Sequence, residues 1–193
     1  FGYDVYASGS TIYVATGGGL SMSTNNGTSW TNYTTANGLG SNTVFGVYAS
    51  GSTIYAATFG GGLSISTNNG TNWTTRTTAN GLGLDFTFGV YASGSTIYAA
   101  TFDGGLSIST DNGTTWTNYT TADGLANDQI YSVYASGGTV YAGLDGFSTN
   151  KPLSVGVPLS SGVPEIDPAG MGSVLALVTS ALGLVERRRL AAS

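Results

Sequence analysis

Val47-Tyr48-Ala49-Ser50-Gly51 is the stretch that decides the fold, because it recurs along the chain at a nearly constant spacing. The pattern begins at Val5, Val47, Val90 and Val133. Three tryptophans follow the same period, 43 residues apart, at Trp30, Trp73 and Trp116. A fixed period of about 40 to 50 residues indicates an architecture of stacked, nearly identical units. The chain is therefore expected to be an array of one repeated unit.

The second unit indicates what each repeat should form. Segments rich in β-branched and aromatic residues predict strands near 43–49, 53–58, 63–66 and 73–77. The turn Thr67-Asn68-Asn69-Gly70 contains Asn-Gly, the strongest short hairpin signal. Four short strands at this period are typical of a propeller blade. No segment before residue 168 has helical periodicity, so the repeats are predicted to be all-β.

The composition excludes several classes of function. Only 8% of the 193 residues are charged, against about 25% in an average domain, and there is no Cys or His. Triads that depend on His or Cys are therefore impossible. Residues 1–150 hold seven carboxylates and a single base, Arg76, so nucleic acid is not an expected partner.

The carboxylates give no catalytic or metal signature. A pair for glycoside hydrolysis could come from Asp85, Asp103, Asp123, Asp128 and Asp145, but their spacing selects none. Calcium at Asp123 and Asp128 is an alternative without the usual loop pattern. We expect no catalysis, cofactor or metal site. The aromatic residues could form stacking platforms for sugars, although most recur at fixed repeat positions, which favours the core.

Each repeat contains a Ser-x-(Asn/Asp)-x-Gly-x-x-Trp turn. The three copies are Ser23, Asn25, Gly27 and Trp30; Ser66, Asn68, Gly70 and Trp73; and Ser109, Asp111, Gly113 and Trp116. These turns resemble the Asp-box of sialidase-like β-propellers. The resemblance implies a structural turn at the periphery, in which the polar side chain binds backbone amides and the Trp packs between strands. Two of the three copies carry Asn in place of Asp, which also bonds local amides.

The connecting segments carry a second resemblance. Asn37-Gly38-Leu39 through Thr58-x-Gly60-Gly61, and Asp123-Gly124-Leu125 onward, are similar to the repeats of sensor propellers in two-component regulators. The two resemblances together cover about residues 1–147. They imply β-propeller-like blades with four strands each.

The chain has too few predicted blades to close a propeller ring by itself. Units near 1–43, 44–86 and 87–129 are complete, and 130–150 supplies strands at 129–135, 139–142 and a weaker candidate at 147–149. About three and a half blades fall short of the four to eight of ordinary propellers. We expect the open array to assemble with other copies of itself, since exposed strand edges recruit further strands. The alternative is a fragment of a longer propeller.

The C-terminal segment differs in composition. Four prolines mark a linker at 151–168, and an apolar stretch beginning at Ala169 leads into an arginine cluster, which predicts a hydrophobic α-helix at 169–190. The order of Val163-Pro164-Glu165, apolar helix and Arg187, Arg188 and Arg189 resembles the PEP-CTERM sorting tail of Gram-negative bacteria. The resemblance implies export, transient membrane anchoring and cleavage near Pro164. Because the chain begins with Phe1, we also expect that an export leader has been removed.

Two fates of the predicted tail helix remain open. Gly172, Ala176 and Ser180 form a small-residue stripe that would let helices pack closely between subunits. The other interpretation is a helix in a membrane. The leading functional hypothesis is an exported, non-catalytic structural protein that self-assembles into an extracellular filament, tube or matrix. The alternative is an extracellular carbohydrate- or peptide-binding propeller module, anchored or sorted by its tail.

Overall fold

The structure is a computed structural model that describes residues 1–144 and the backbone of residues 154–158. The strands form four antiparallel sheets, each a meander in which consecutive strands are neighbours. The first sheet contains β1 (Gly2–Ser8), β2 (Thr11–Thr16), β3 (Gly19–Ser23) and β4 (Thr31–Tyr33). The second contains β5 (Val44–Ser50), β6 (Thr53–Thr58), β7 (Gly62–Ser66) and β8 (Thr74–Arg76).

The remaining two sheets repeat this order. The third contains β9 (Thr87–Ser93), β10 (Thr96–Thr101), β11 (Gly105–Ser109) and β12 (Thr117–Tyr119). The fourth contains β13 (Ile130–Ser136), β14 (Thr139–Leu144) and β15 (Ser154–Pro158). The predicted all-β class and the four-stranded repeat are thus confirmed in the first three units.

The hairpins follow the turn residues of the sequence. β5 and β6 are joined by a two-residue turn in which Gly51 has φ 57°, a conformation that favours glycine. After β7, Asn69 and Gly70 both have positive φ, 54° and 86°. Asn tolerates this left-handed conformation better than most residues, and Gly has no Cβ to clash. The Asn-Gly turns therefore lie where the sequence predicted them.

The fourth sheet differs from the sequence-based expectation. Its third strand is β15, inside the 151–168 stretch expected to be a linker, whereas the candidate at 147–149 lies outside the described residues. The signal was present, because Leu153-Ser154-Val155 repeats Leu63-Ser64-Ile65, but four extra residues separate it from β14. Pro158 at the strand end is compatible with an edge strand. The predicted tail helix and its sorting residues also lie outside the described residues.

The hydrophobic core lies between neighbouring sheets. Tyr13, Ala15, Leu20 and Met22 of the first sheet form one buried cluster with Val47, Ala49, Ile54 and Ala56 of the second. Equivalent clusters join the second sheet to the third and the third to the fourth. Each interior sheet is therefore covered on both faces by its neighbours, as in a stack of blades.

Short 3-10 turns carry the chain from one sheet to the next. They span Thr35–Asn37, Thr78–Asn80 and Thr121–Asp123, and each is capped by the side chain of its last residue, which accepts from the N-cap backbone. Each turn ends at a glycine with positive φ. A connecting leucine follows, and Leu39 and Leu82 are buried between sheets.

Candidate functional site

The three Ser-x-(Asn/Asp)-x-Gly turns are held by the same internal hydrogen bonds. In the first, the Gly27 N–H donates to Ser23 Oγ at 2.8 Å, and the Ser23 hydroxyl donates to Asn25 Oδ1 at 2.9 Å. The Ser29 N–H donates to the same Asn25 oxygen at 2.9 Å. The second and third turns repeat this pattern around Asn68 and Asp111. These polar groups therefore bond mainly within the turn itself.

Asp111 is the one carboxylate among the three central positions. It accepts from the hydroxyl of Thr115 at 2.6 Å and from the backbone N–H groups of Thr114 and Thr115 at 3.0 and 2.9 Å. These bonds, led by that from the Thr115 hydroxyl, lower the pKa of Asp111 to about 2. The Asn residues at the same place in the other turns cannot titrate.

The second and third turns also contact the preceding sheet, which sequence reasoning missed. Gly70 lies against the ring of Tyr33, whose hydroxyl donates to the Asn69 carbonyl at 3.3 Å. The Trp73 ring meets Tyr33 edge-on with ring centroids 5.7 Å apart. In the third unit, a Cβ built at Gly113 would lie near Ile65 of the second sheet. The second and third tryptophan turns are therefore parts of the contact between sheets.

Among the described residues, no sheet packs on the outer side of the first sheet, and its turn is exposed. Trp30 is 45% exposed, whereas Trp73 and Trp116 are partly buried against a neighbouring sheet. The Trp30 indole N–H donates to the Gly27 carbonyl at 3.1 Å within its own turn.

The strands of the first sheet show the same exposure. Val5 pairs with Val14, and Ala7 pairs with Ile12, so these four side chains share one side of the sheet. We call Val5, Ala7, Ile12, Val14 and Trp30 the first-sheet face. Val5 is 60% exposed, whereas the equivalent Val47 is 4% exposed. The first-sheet face is therefore an apolar surface on which Val5, Ala7 and Trp30 are exposed, while Ile12 and Val14 are half-buried.

Two rows of aromatic rings run across the first strands of the four sheets. One consists of Tyr6, Tyr48, Tyr91 and Tyr134, with neighbouring ring centroids 4.9 to 5.0 Å apart. Burial raises the pKa of Tyr91 to about 12 and also raises the pKa of Tyr48. The other consists of Tyr3, Phe45, Phe88 and Tyr131. Aromatic rings at fixed repeat positions therefore pack each sheet against its neighbour.

One aromatic group contains a strongly exposed ring. Phe59 is 49% exposed, and its ring contacts Phe86 at 4.7 Å and Phe45 at 5.7 Å between centroids. The third unit has Phe102 at the position of Phe59, partly buried beside Phe88 and Tyr131, and the first unit has Gly17 there. An exposed ring supported by two others could stack on a sugar.

The carboxylates named in the sequence analysis are mainly bonded to loop backbone. Asp85 and Asp128 accept from the N–H groups of Thr78 and Thr121 at 2.7 and 2.6 Å. Asp123 accepts from the Thr120 N–H at 2.9 Å. Asp103 accepts from the Gln129 amide at 2.8 Å, and Asp145 lies outside the described residues.

Residues 1–144 contain no group of three or more Asp and Glu side chains that could hold a metal ion. Within the same part of the chain, no helix has the length and apolar character needed to cross a bilayer.

Comparison with solved structures identifies the architecture. The chain is similar to an ancestral GH74 enzyme, with a TM-score of 0.62 and 22% identity over 81% of this chain and 23% of that one. It is similar to the extracellular domain of BT4673 from B. thetaiotaomicron, with a TM-score of 0.63 and 15% identity over 80% of this chain and 23% of that one. The described part therefore has a β-propeller-type fold.

A third similar structure is YCF48 from Cyanidioschyzon merolae, with a TM-score of 0.59 and 16% identity over 82% of this chain and 53% of that one. The chain thus spans about a quarter of the first two structures and about half of the third. No protein-family model matches the sequence, and no curated protein does. At these identities the likeness concerns the fold alone.

Proposed function

We propose that the chain is an exported, non-catalytic structural protein that self-assembles into an extracellular filament, tube or matrix. The supporting observation is the first-sheet face, where Val5 is 60% exposed while its equivalent in the second sheet is 4% exposed. An apolar contact surface of this kind on a monomer marks an interaction site. The chain has few charges and no Cys or His, which suits a structural role.

The proposed location is outside the cell or at its surface. BT4673, one of the similar structures, is described as an extracellular domain. The resemblance of the C-terminal segment to a PEP-CTERM tail supports export from a Gram-negative-type bacterium, with a transient membrane contact. The Asp-box resemblance supports a structural role for the turns. Other copies of the chain are the proposed partners, and nucleic acid is not.

Electron microscopy of the purified full chain, with sedimentation velocity over a range of concentrations, tests the proposal. We expect ordered polymers whose length grows with concentration. Uniform small particles at every concentration would contradict a filament, tube or matrix.

A second candidate function is carbohydrate binding, favoured by the exposed Phe59 ring and its support by Phe45 and Phe86. Stacking on aromatic rings is how an uncharged site would hold a neutral sugar. Titration of the full chain with soluble neutral oligosaccharides, followed by calorimetry, tests it. Binding that Phe59→Ala abolishes, while Phe102→Ala retains it, would support this function. An absence of heat with every sugar would argue against it.

A further inference from the structure

The first-sheet face has a counterpart at the other end of the repeat array. Tyr141, on β14, is 37% exposed, whereas its equivalents Tyr13, Tyr55 and Tyr98 are 4%, 5% and 0% exposed. Tyr141 lies beside Tyr134, with ring centroids 6.3 Å apart, and the backbone of Val155 is its partner on β15. We call Tyr134, Tyr141 and the backbone of β15 the last-sheet face. It is the side of the fourth sheet opposite the third.

Inside the chain, these two kinds of surface are always packed together. In each of the first three sheets, the tyrosine equivalent to Tyr141 belongs to a buried cluster. The same cluster contains Val, Ala or Ile side chains of the sheet that follows. Tyr13 shares a cluster with Val47, Ala49 and Ile54, and Tyr55 shares one with Ala92 and Ile97. Tyr98 shares one with Ala135 and Val140. The contact therefore forms three times between neighbouring sheets, with nearly the same residues.

We infer that the last-sheet face of one copy packs on the first-sheet face of a second copy, and so repeats the internal contact between sheets. The residues that would meet are those already matched within the chain, because Val5, Ala7 and Ile12 stand where Val47, Ala49 and Ile54 stand. This inference deepens the proposed function, on which it rests, by naming the two surfaces and their pairing.

The tyrosine row supports the same orientation. Its ring centroids are spaced 5.0, 4.9 and 5.0 Å from Tyr6 to Tyr134, so the step from sheet to sheet is regular. A second copy placed by one more such step would put its Tyr6 against Tyr134 of the first. Because the two faces differ, the contact is head-to-tail, and it either closes into a ring or continues as an open polymer.

Charge placed on each face gives a complementation test with the full chain. Val5→Asp blocks the first-sheet face and leaves the last-sheet face intact, while Tyr141→Asp does the reverse. Each variant alone should sediment as a monomer. An equimolar mixture should form a heterodimer with one junction, because the intact last-sheet face of the Val5→Asp chain can dock on the intact first-sheet face of the other.

Two controls keep this result interpretable. Ala79→Asp adds the same charge at an exposed site in a connecting turn and should assemble like the unsubstituted chain. Circular dichroism and thermal unfolding of each variant establish that it is folded. Should either variant misfold, Val5→Ser and Tyr141→Ser replace the pair and should weaken association at least about tenfold each.

The outcomes separate the contact from the proposed function. Polymers formed by Val5→Asp alone, or a mixture that stays monomeric while the unsubstituted chain assembles, would overturn the pairing of the two faces and leave a polymer built by other surfaces. A closed two-copy ring of the unsubstituted chain, with a heterodimer in the mixture, would support the pairing and contradict the polymer. An unsubstituted chain that stays monomeric at all concentrations would overturn both.

Discussion

The first and second sheets have nearly the same sequence but different surroundings. Val5-Tyr6-Ala7 and Val47-Tyr48-Ala49 are identical in side chains, yet Ala7 is exposed and Ala49 is 4% exposed. Local sequence therefore sets the strand and the side on which each residue lies. The neighbouring sheet sets whether that side is core or surface. The comparison shows that one repeat motif supplies both a folding contact and a candidate binding surface.

The largest expected effect comes from placing a charge on each member of this pair. Val47→Asp would bury an unpaired carboxylate between two sheets and should lower the free energy of unfolding by at least about 4 kcal/mol. Val5→Asp should change that of the unassembled chain by less than about 0.5 kcal/mol, because the site is exposed. Urea unfolding at a protein concentration too low for assembly measures both changes in the free energy of unfolding. Equal losses would show that Val5 is covered by some part of the same chain.

The next effect concerns the residue before each valine, Asp4 in the first sheet and Gly46 in the second. A Cβ at Gly46 would meet the backbone carbonyl of Phe88 in the third sheet. Gly46→Ala should therefore destabilise the chain by about 1–3 kcal/mol, as overpacking does.

Asp4→Ala is the matched control for Gly46→Ala. Asp4 Oδ2 accepts from the Val47 N–H at 2.9 Å. Loss of this hydrogen bond should lower the free energy of unfolding by only about 0.5–1.5 kcal/mol. The same urea titrations measure both changes. A Gly46→Ala variant as stable as the unsubstituted chain would mean that the second and third sheets can separate without cost.

A smaller expected effect is a difference in acrylamide quenching of fluorescence between Trp30 and Trp116. In the unassembled chain, a variant that keeps only Trp30 should be quenched by acrylamide more strongly than one that keeps only Trp116. The reason is that Trp30 is 45% exposed and Trp116 packs on a cluster of the preceding sheet. Assembly through the first-sheet face should protect Trp30 and leave Trp116 unchanged. Equal quenching before assembly would contradict the exposed turn.

The sequence predicted the repeat well because its signals are local. Alternation, Asn-Gly turns and the tryptophan period depend on residues within a few positions of one another, and they led to four strands in each complete unit. β15 was missed because four extra residues break the period before Leu153-Ser154-Val155. The exposed faces were missed for another reason. The residues that follow Val5 and Val47 are identical as far as Tyr13 and Tyr55, and the packing of a neighbouring sheet decides which valine is buried.

The smallest expected effect distinguishes the third tryptophan turn from the first two. Because its folded-state pKa is lowered to about 2 from an ordinary value of 3.8, Asp111 contributes stability that is present above the ordinary value and is lost as pH falls towards 2. The amide signals of Thr114 and Thr115 should therefore shift between about pH 4 and pH 2 in NMR spectra. The amide signal of Asn72, whose N–H donates to the uncharged Asn68, should stay constant over that range.

Asp111→Asn is the matched control, since it converts the third turn to the chemistry of the second. It should abolish the shift while keeping the turn folded, and a shift that persisted in this variant would assign the titration to another carboxylate.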